Sequence, residues 1–505
     1  MFLLYPPCSI SIFTRAILLA CPYAARLQTE TTWVPNLFQT LQLESPRLNP
    51  RPVAMRSTLI TLGALLTFLA LLAQAFFRQG IASWSVGLAY IAYDTFLLFF
   101  TASQLKWIAA PTGFLRESIG PSVGVIIAAH NEERALPITI ESLLGQQDTP
   151  DLIVIADDGS TDGTADMLAH RYGLAPGKRR YAEGRPELLW LRLPQGGKAR
   201  ALNTAIDFTH TDIILTVDAD TLCEEHAVAV MRAAFAAELN LVAATGVLTP
   251  VCGRSLAGRF FQWFQRYEYI RNFVSRFAWM QLNSLLLISG AFAAFRREAL
   301  IEVGGFDPSC LVEDYELIHR LHRHSVDHAL NWTVRVLGGA RARTDAPETL
   351  ATFLRQRRRW FAGFLQTQRW NRDMTGNVRF GWLGQAMMPV KVLDTLQPIY
   401  GLTAFGILIG AIGLGRLRVA LPIILIMLSK VVIDLVFHLW ILGVYRRWTG
   451  GDHPISYGKA LLAALLEPFS FQLLRHAGAV WGWWTFLTGR QSWGRTSRQG
   501  IISQK

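Results

Sequence analysis

The chain has 505 residues, of which 51% are hydrophobic and only 17% charged, with 16 tryptophans and a net charge of +12. Ordinary soluble domains are about a quarter charged, so this balance excludes a single water-soluble globule and points to a membrane protein with a soluble portion. Nucleic acid is one reading of the positive excess, but the arginines gather on no one basic element, which argues against it; juxtamembrane and phosphate-binding positions use them equally well.

Residues 1–55 read as a proline-rich, irregular N-terminal extension or, over Ile10–Ala25, as a weak signal sequence whose apolar stretch is broken by Arg15. Met55-Arg56 directly precedes the first apolar span and is the expected point where translation starts. Thr58–Phe77 and Ile81–Phe100 are each long enough to cross a hydrocarbon core of about 30 Å, and they predict a transmembrane hairpin over 56–105 that turns at Arg78.

Residues 106–380 carry a different pattern, in which short apolar runs alternate with helical periods, the signature of an α/β domain with interfacial helices. Strands are predicted at Val123–Ala128, Leu152–Ile155, Leu188–Leu193 and Ile213–Val217, and helices at Leu136–Gln147, Thr164–Tyr172 and Lys198–Phe208; the basic stretch Gly177–Gly184 reads as an exposed loop. Cys8, Cys21, Cys223, Cys252 and Cys310 form no CxxC and suggest neither a zinc site nor a disulfide framework. Cys223, Cys252 and Cys310 suit a reducing cytosol.

Carboxylates end two of these runs, Asp157-Asp158-Gly159-Ser160 and Asp218-Ala219-Asp220. The tips of parallel strands converge on one crevice, where open α/β sheets bind ligands. Asp218 and Asp220 can both reach a hard cation, Mg²⁺ or Mn²⁺, that keeps its other positions for a nucleotide diphosphate. Glu132, after the first strand, and Asp158, after the second, are placed to hold a base and a ribose. Gly196-Gly197-Lys198 opens a helix and offers glycine amides and a cation to the diphosphate. Taken alone, Asp-Asp-Gly-Ser is also ordinary turn chemistry, and Lys198 also an ordinary loop lysine.

Further on, Glu313-Asp314 begins a helical pattern, Tyr315–His322. Such a carboxylate can be a helix cap or, facing a sugar donor, a general base that takes the proton of an acceptor hydroxyl. In Gln356-x-x-Arg359-Trp360 the indole can stack under a sugar ring while Arg359 grips phosphate; the plainer alternative is an amphipathic basic helix at a membrane surface.

Residues 381–489 turn apolar again. Ile399–Leu414 and Val419–Val444 are span candidates, and Ala460–Leu487, broken at Pro468, is expected to lie in the interface, giving four spans in all. Arg446, Arg447 and the basic tail 490–505 place both regions on the cytoplasmic side. Lys430, Asp434 and His438 recur every four residues inside one span, and Asp94 lies inside another. They face either a polar conduit or one another, as in a Lys430–Asp434 pair.

The ordered set Asp157-Asp158-Gly159, Gly197-Lys198, Asp218-Ala219-Asp220, Ser289-Gly290-Ala291, Glu313-Asp314 and Gln356-x-x-Arg359-Trp360 resembles the processive family-2 glycosyltransferases, the membrane-bound synthases of cellulose, hyaluronan, chitin oligomers and poly-N-acetylglucosamine. The resemblance runs from Thr58 to about Gly500. It implies an α/β, Rossmann-like GT-A domain in the cytoplasm, inserted between transmembrane α-helices, in a protein of the cell (inner) membrane. It also implies a UDP-sugar donor, a divalent metal at Asp220, Asp314 as catalytic base, Trp360 beneath a growing polysaccharide acceptor held with Gln356, and inversion to a β linkage. Accessory export subunits and membrane lipid are further expected partners. Val312 stands where that family usually has Thr, and Ile288–Phe292 with Phe295-Arg296-Arg297 leans toward the poly-N-acetylglucosamine synthases. Two other functions fit the same residues: single transfer of a sugar to a lipid carrier, and an inactive scaffold or transporter that keeps a nucleotide-binding domain.

Overall fold

The computed structural model describes residues 37–109, 120–181, 186–451, 456–489 and 500–502. The signal-sequence reading and the arginines of the tail lie outside them.

The N-terminal stretch departs from expectation where it is described. Leu37–Glu44 forms a helix, α1, rather than irregular chain. Leu37 and Leu41 are buried, and a Cβ at Gly304 would stand 2.3 Å from the Leu41 amide nitrogen. Arg47 then grips the fully buried Asp307 with two bonds of 2.9 Å, and Arg51 reaches Asp327 at 2.6 Å. Proline content alone hid this arm, because what orders it is a surface remote in sequence.

Two apolar helices follow, α2 (Met55–Phe77) and α3 (Ser85–Gln104). The α/β domain comes next, with α4 (Leu136–Leu144), α5 (Thr164–Tyr172), α6 (Lys198–Asp207), α7 (Ala227–Ala237), α8 (Leu256–Met280), α9 (Arg297–Glu302), α10 (Glu313–Asp327) and α11 (Leu350–Trp370). The chain returns to apolar helices in α12 (Met388–Gly413) and α13 (Leu417–Trp448), and ends its described helices with α14 (Tyr457–Leu466) and α15 (Phe471–Thr488). Among the described residues four helices are long and apolar enough to cross a membrane, Met55–Phe77, Gly80–Trp107, Leu383–Gly413 and Leu417–Trp448. The stretch Ala460–Leu487 is split at Glu467–Phe469, where Pro468 supplies no amide hydrogen.

Among the described residues nine strands form one sheet in the order β3-β4-β2-β1-β5-β8-β7-β9-β6. They are β1 (Val123–Ala129), β2 (Leu152–Asp158), β3 (Arg179–Arg180), β4 (Glu187–Leu193), β5 (Ile213–Asp218), β6 (Thr221–Cys223), β7 (Leu241–Val251), β8 (Phe292–Arg296) and β9 (Thr333–Asp345). The central strands β2, β1 and β5 run parallel and are buried almost throughout, which is why they read as unbroken apolar runs rather than alternating ones. β9 instead alternates between covered and half-covered residues along its length. The stretch 177–184 corrects the loop expectation in part, because Arg179 and Arg180 pair antiparallel with β4 as an edge strand; arginines suit an edge because they discourage further pairing. α4 stops earlier than the apolar period suggests, at Gly145.

Among the apolar helices, Lys430 is ion-paired with Asp94 at 2.6 Å and with Asp434. The ring of His438 accepts from Arg271 at 2.9 Å, and Arg271 in turn pairs with Glu467. The charged groups on this face therefore compensate one another, as buried ions must.

Candidate active site

Register places the carboxylates. Ala129 of β1 stands beside Asp157 of β2, and Ala128 beside Asp218 of β5, so the acidic pairs emerge from the tips of β2 and β5, one on each side of β1. Asp157 turns the chain back by accepting the Ser160 amide at 2.9 Å. Asp158 does something else: its two oxygens accept the amides of Gly196 and Gly197 at 2.7 and 2.8 Å. It thereby shapes the loop that opens α6, where Gly197 has φ +91°, a backbone state costly for residues with a Cβ. The motif is both a turn and part of the site.

Across the crevice, β8 runs antiparallel to β5, and the residues before it meet the start of α10. Gly290 donates its amide to Asp314 Oδ2 at 2.7 Å, and Tyr315 donates to Oδ1 at 2.8 Å. A Cβ on Gly290 would stand 2.9 Å from that Oδ2, so the bare backbone lets the carboxylate sit here. α10 is tied to the turn before it by the fully buried Arg320, which pairs with Glu316 of the same helix at 2.7 Å and donates to Val303 O and Gly305 O. Breaking such a pair costs about 3–5 kcal/mol, which makes the position of Asp314 stiff.

Lys198 Nζ lies between the acidic groups, 2.6 Å from Asp218 and 3.5 Å from Glu313. Burial acts to lower the lysine, but the charges of Asp218 and Glu313 outweigh it and hold the ammonium above the ordinary lysine range. Burial raises the Glu313 carboxyl against the pull of Lys198. Asp220 is pushed well up, first by burial and then by the charges of Asp218 and Asp345. Among the described residues no group of three or more His, Cys, Asp or Glu side chains has metal-holding geometry. Asp218 and Asp220 nevertheless fit a Mg²⁺ or Mn²⁺ ion. They are hard oxygen donors, their repulsion is what a cation relieves, and an ammonium already stands among the acids.

One cavity of about 860 Å³ collects Glu132, Asp158, Lys198, Asp218, Asp220, Asp314, Gln356, Arg359 and Trp360. That volume lies within the usual range for ligand pockets. Arg359 Nη1 donates to Leu311 O at 3.0 Å, two residues before Glu313. Gln356 Oε1 is buried without a hydrogen-bond partner. Sequence reasoning missed Tyr269 of α8 and Asp345 at the tip of β9, which line the same cavity; an acid closing an alternating run was the signal for Asp345, and Tyr269 had none. Ile502 also borders it, while Gly500 and Ile501 donate their amides to Asp345 at 3.2 and 2.5 Å.

The family model described as "Glycosyl transferase family 2" matches residues 124–304. This chain carries a family-2 glycosyltransferase domain. Its fold is GT-A-like: a mannosyltransferase, PcManGT, from Pyrobaculum calidifontis, solved in complex with GDP-Man and Mn²⁺, superposes with a TM-score of 0.51 at 20% identity, over 77% of this chain and 99% of that one. In sequence the chain is similar to a poly-beta-1,6-N-acetyl-D-glucosamine synthase of Staphylococcus aureus, 26% identical over 54% of this chain. A probable glycosyltransferase of Bacillus subtilis, YdaM, is 26% identical over 48%. The matches span 65% and 55% of those relatives' own lengths.

Proposed function

We propose that the protein is a membrane-bound, inverting β-glycosyltransferase that polymerises sugar from a UDP-sugar, with UDP-N-acetylglucosamine the leading candidate, into an extracellular polysaccharide. The observation that carries the reading is the position of Asp314: a carboxylate held by two backbone amides, in the cavity that also contains Lys198, the acidic strand tips and Trp360. A scaffold that merely bound nucleotide would have no use for such a group.

The donor diphosphate lies over the Gly196-Gly197 loop, whose shape Asp158 sets, with Lys198 and Arg359 as counter-charges. Asp218 and Asp220 would hold a divalent cation, which supplies Lewis-acid stabilisation to the departing diphosphate. Asp314 takes the proton from the acceptor hydroxyl as that oxygen attacks the sugar carbon from the face opposite the leaving group. Trp360 presents an aromatic face to the acceptor ring, and the unpaired Gln356 Oε1 accepts a hydroxyl hydrogen that it otherwise lacks. The likeness to a poly-N-acetylglucosamine synthase supports the amino sugar, and the four apolar helices among the described residues support a membrane site; the flanking Arg446-Arg447 supports a cytoplasmic domain.

Membranes containing the protein, incubated with a panel of labelled UDP- and GDP-sugars, test this. The expected result is a long product from a UDP-sugar, cut by a β-linkage-specific hydrolase. A product of one sugar on lipid sinks the polymerase reading, and no transfer from any donor sinks the enzyme.

A further inference from the structure

The arginine run on α11 distributes its guanidiniums among separate environments. Arg359 meets Leu311 O and the cavity. Arg358 lies over the Trp481 indole of α15, 4.8 Å from the ring centre. Arg357, the buried member, sits 4.7 Å from the centre of the Phe353 ring and 4.6 Å from that of Trp360. Its Nη2 donates to Glu268 Oε2 of α8 at 2.6 Å. Glu268 is itself only 2% exposed and faces Arg475 of α15 at 3.5 Å. α15 comes this close because of Gly478 and Gly482. A Cβ on Gly478 would stand 2.6 Å from Arg357 Cβ, and one on Gly482 2.7 Å from Phe361 Cβ.

We propose that Glu268 and Arg357 are positioning residues for the acceptor: they fix the plane of the Trp360 indole against which the growing chain is laid. This rests on reading the cavity as a site of sugar transfer. An indole on a cavity wall can swing about its side-chain torsions. A planar guanidinium stacked on it removes that freedom, provided the guanidinium is itself held. Phe353, fully buried, backs the guanidinium, and Glu268 fixes it in the plane by charge. Acceptor geometry therefore depends on a carboxylate that never touches the acceptor, and through Arg475 on a helix of the apolar region.

Arg357→Lys keeps the charge but loses the flat stack, and Glu268→Gln removes the charge. In vesicles supplied with labelled UDP-N-acetylglucosamine, UDP affinity, UDP release and product length are read together. Both variants are expected to keep UDP affinity within about twofold and to go on releasing UDP. Their mean product length falls by roughly tenfold or more, the scale of a displaced reactant. Product of wild-type length from either variant overturns the inference, as does loss of UDP affinity in step with elongation, which marks general collapse. If Glu268→Gln does not accumulate in the membrane, Arg357→Lys alone decides by the same criteria. A wild type that releases no UDP overturns the transferase reading and this inference with it. A wild type that elongates, beside an Arg357→Lys that elongates equally, overturns this inference alone.

Discussion

The sheet half and the helical half of this protein hold their polar groups by different means. Around the donor end of the cavity, backbone amides do the holding: Gly196 and Gly197 on Asp158, Gly290 and Tyr315 on Asp314. On the helical side, side chains hold side chains across long stretches of sequence, Arg357 on Glu268 89 residues away and Lys430 on Asp94. An amide cradle is set by the local path of the backbone and survives a change of the group it holds. An ion pair between helices exists only once they have packed, and each member becomes a liability when the other is removed.

Changing the held group in the sheet half tests the first point with the largest expected effect. Asp314→Asn keeps a side chain of the same shape but removes the proton acceptor, and it leaves one of the two cradle amides facing an NH2 group. Transfer is expected to fall by about 10²- to 10⁴-fold with UDP binding unchanged in an equilibrium assay. Equal loss of UDP affinity would assign Asp314 to the donor instead. Asp220→Ala should behave differently and lose donor binding along with turnover, each by on the order of a hundredfold, the scale of a missing Lewis acid. Chelation of divalent ions should reproduce this in the wild type, and indifference to chelator would remove the metal from the scheme.

The docked arm extends the comparison to packing alone. Leu41→Ala is expected to cost about 2–5 kcal/mol, as buried leucines do, read as a lower unfolding temperature in detergent; an unchanged temperature would mean that α1 does not dock in solution. The smallest effect belongs to Asp434→Asn. Lys430 keeps Asp94 as its partner, so stability should change by about 1 kcal/mol or less, with product length and export as in the wild type. A shortened product would put that helix face in contact with the polymer.

The same division explains what could be read without coordinates. Asp158, Lys198, Asp220 and Asp314 were legible because each stands at the end of a periodic run, where strand and helix geometry dictates the direction of the side chain. The central strands were legible for the same reason, as four-to-six-residue apolar runs, two of them ending in acids. Arg357 was visible only as one arginine in a basic run, since nothing near it in sequence announces Glu268. Asp345, Tyr269 and the arm from α1 to Arg51 were hidden likewise, since their partners lie elsewhere in the chain. The edge pairing of Arg179 and Arg180 with β4 was masked by charge, which marks solvent exposure without distinguishing a loop from an outermost strand.

Gly478 and Gly482 are four residues apart on α15, and both lie against the backbone of α11. Since an α-helix advances by about 100° per residue, the join is a matter of phase rather than of length. One extra residue ahead of Gly478 would rotate both glycines away from α11 and bring bulky neighbours into the gap, whereas about four extra residues would nearly restore the alignment. Drift in the length of the apolar C-terminal region is thus constrained to whole turns wherever it would feed into this contact.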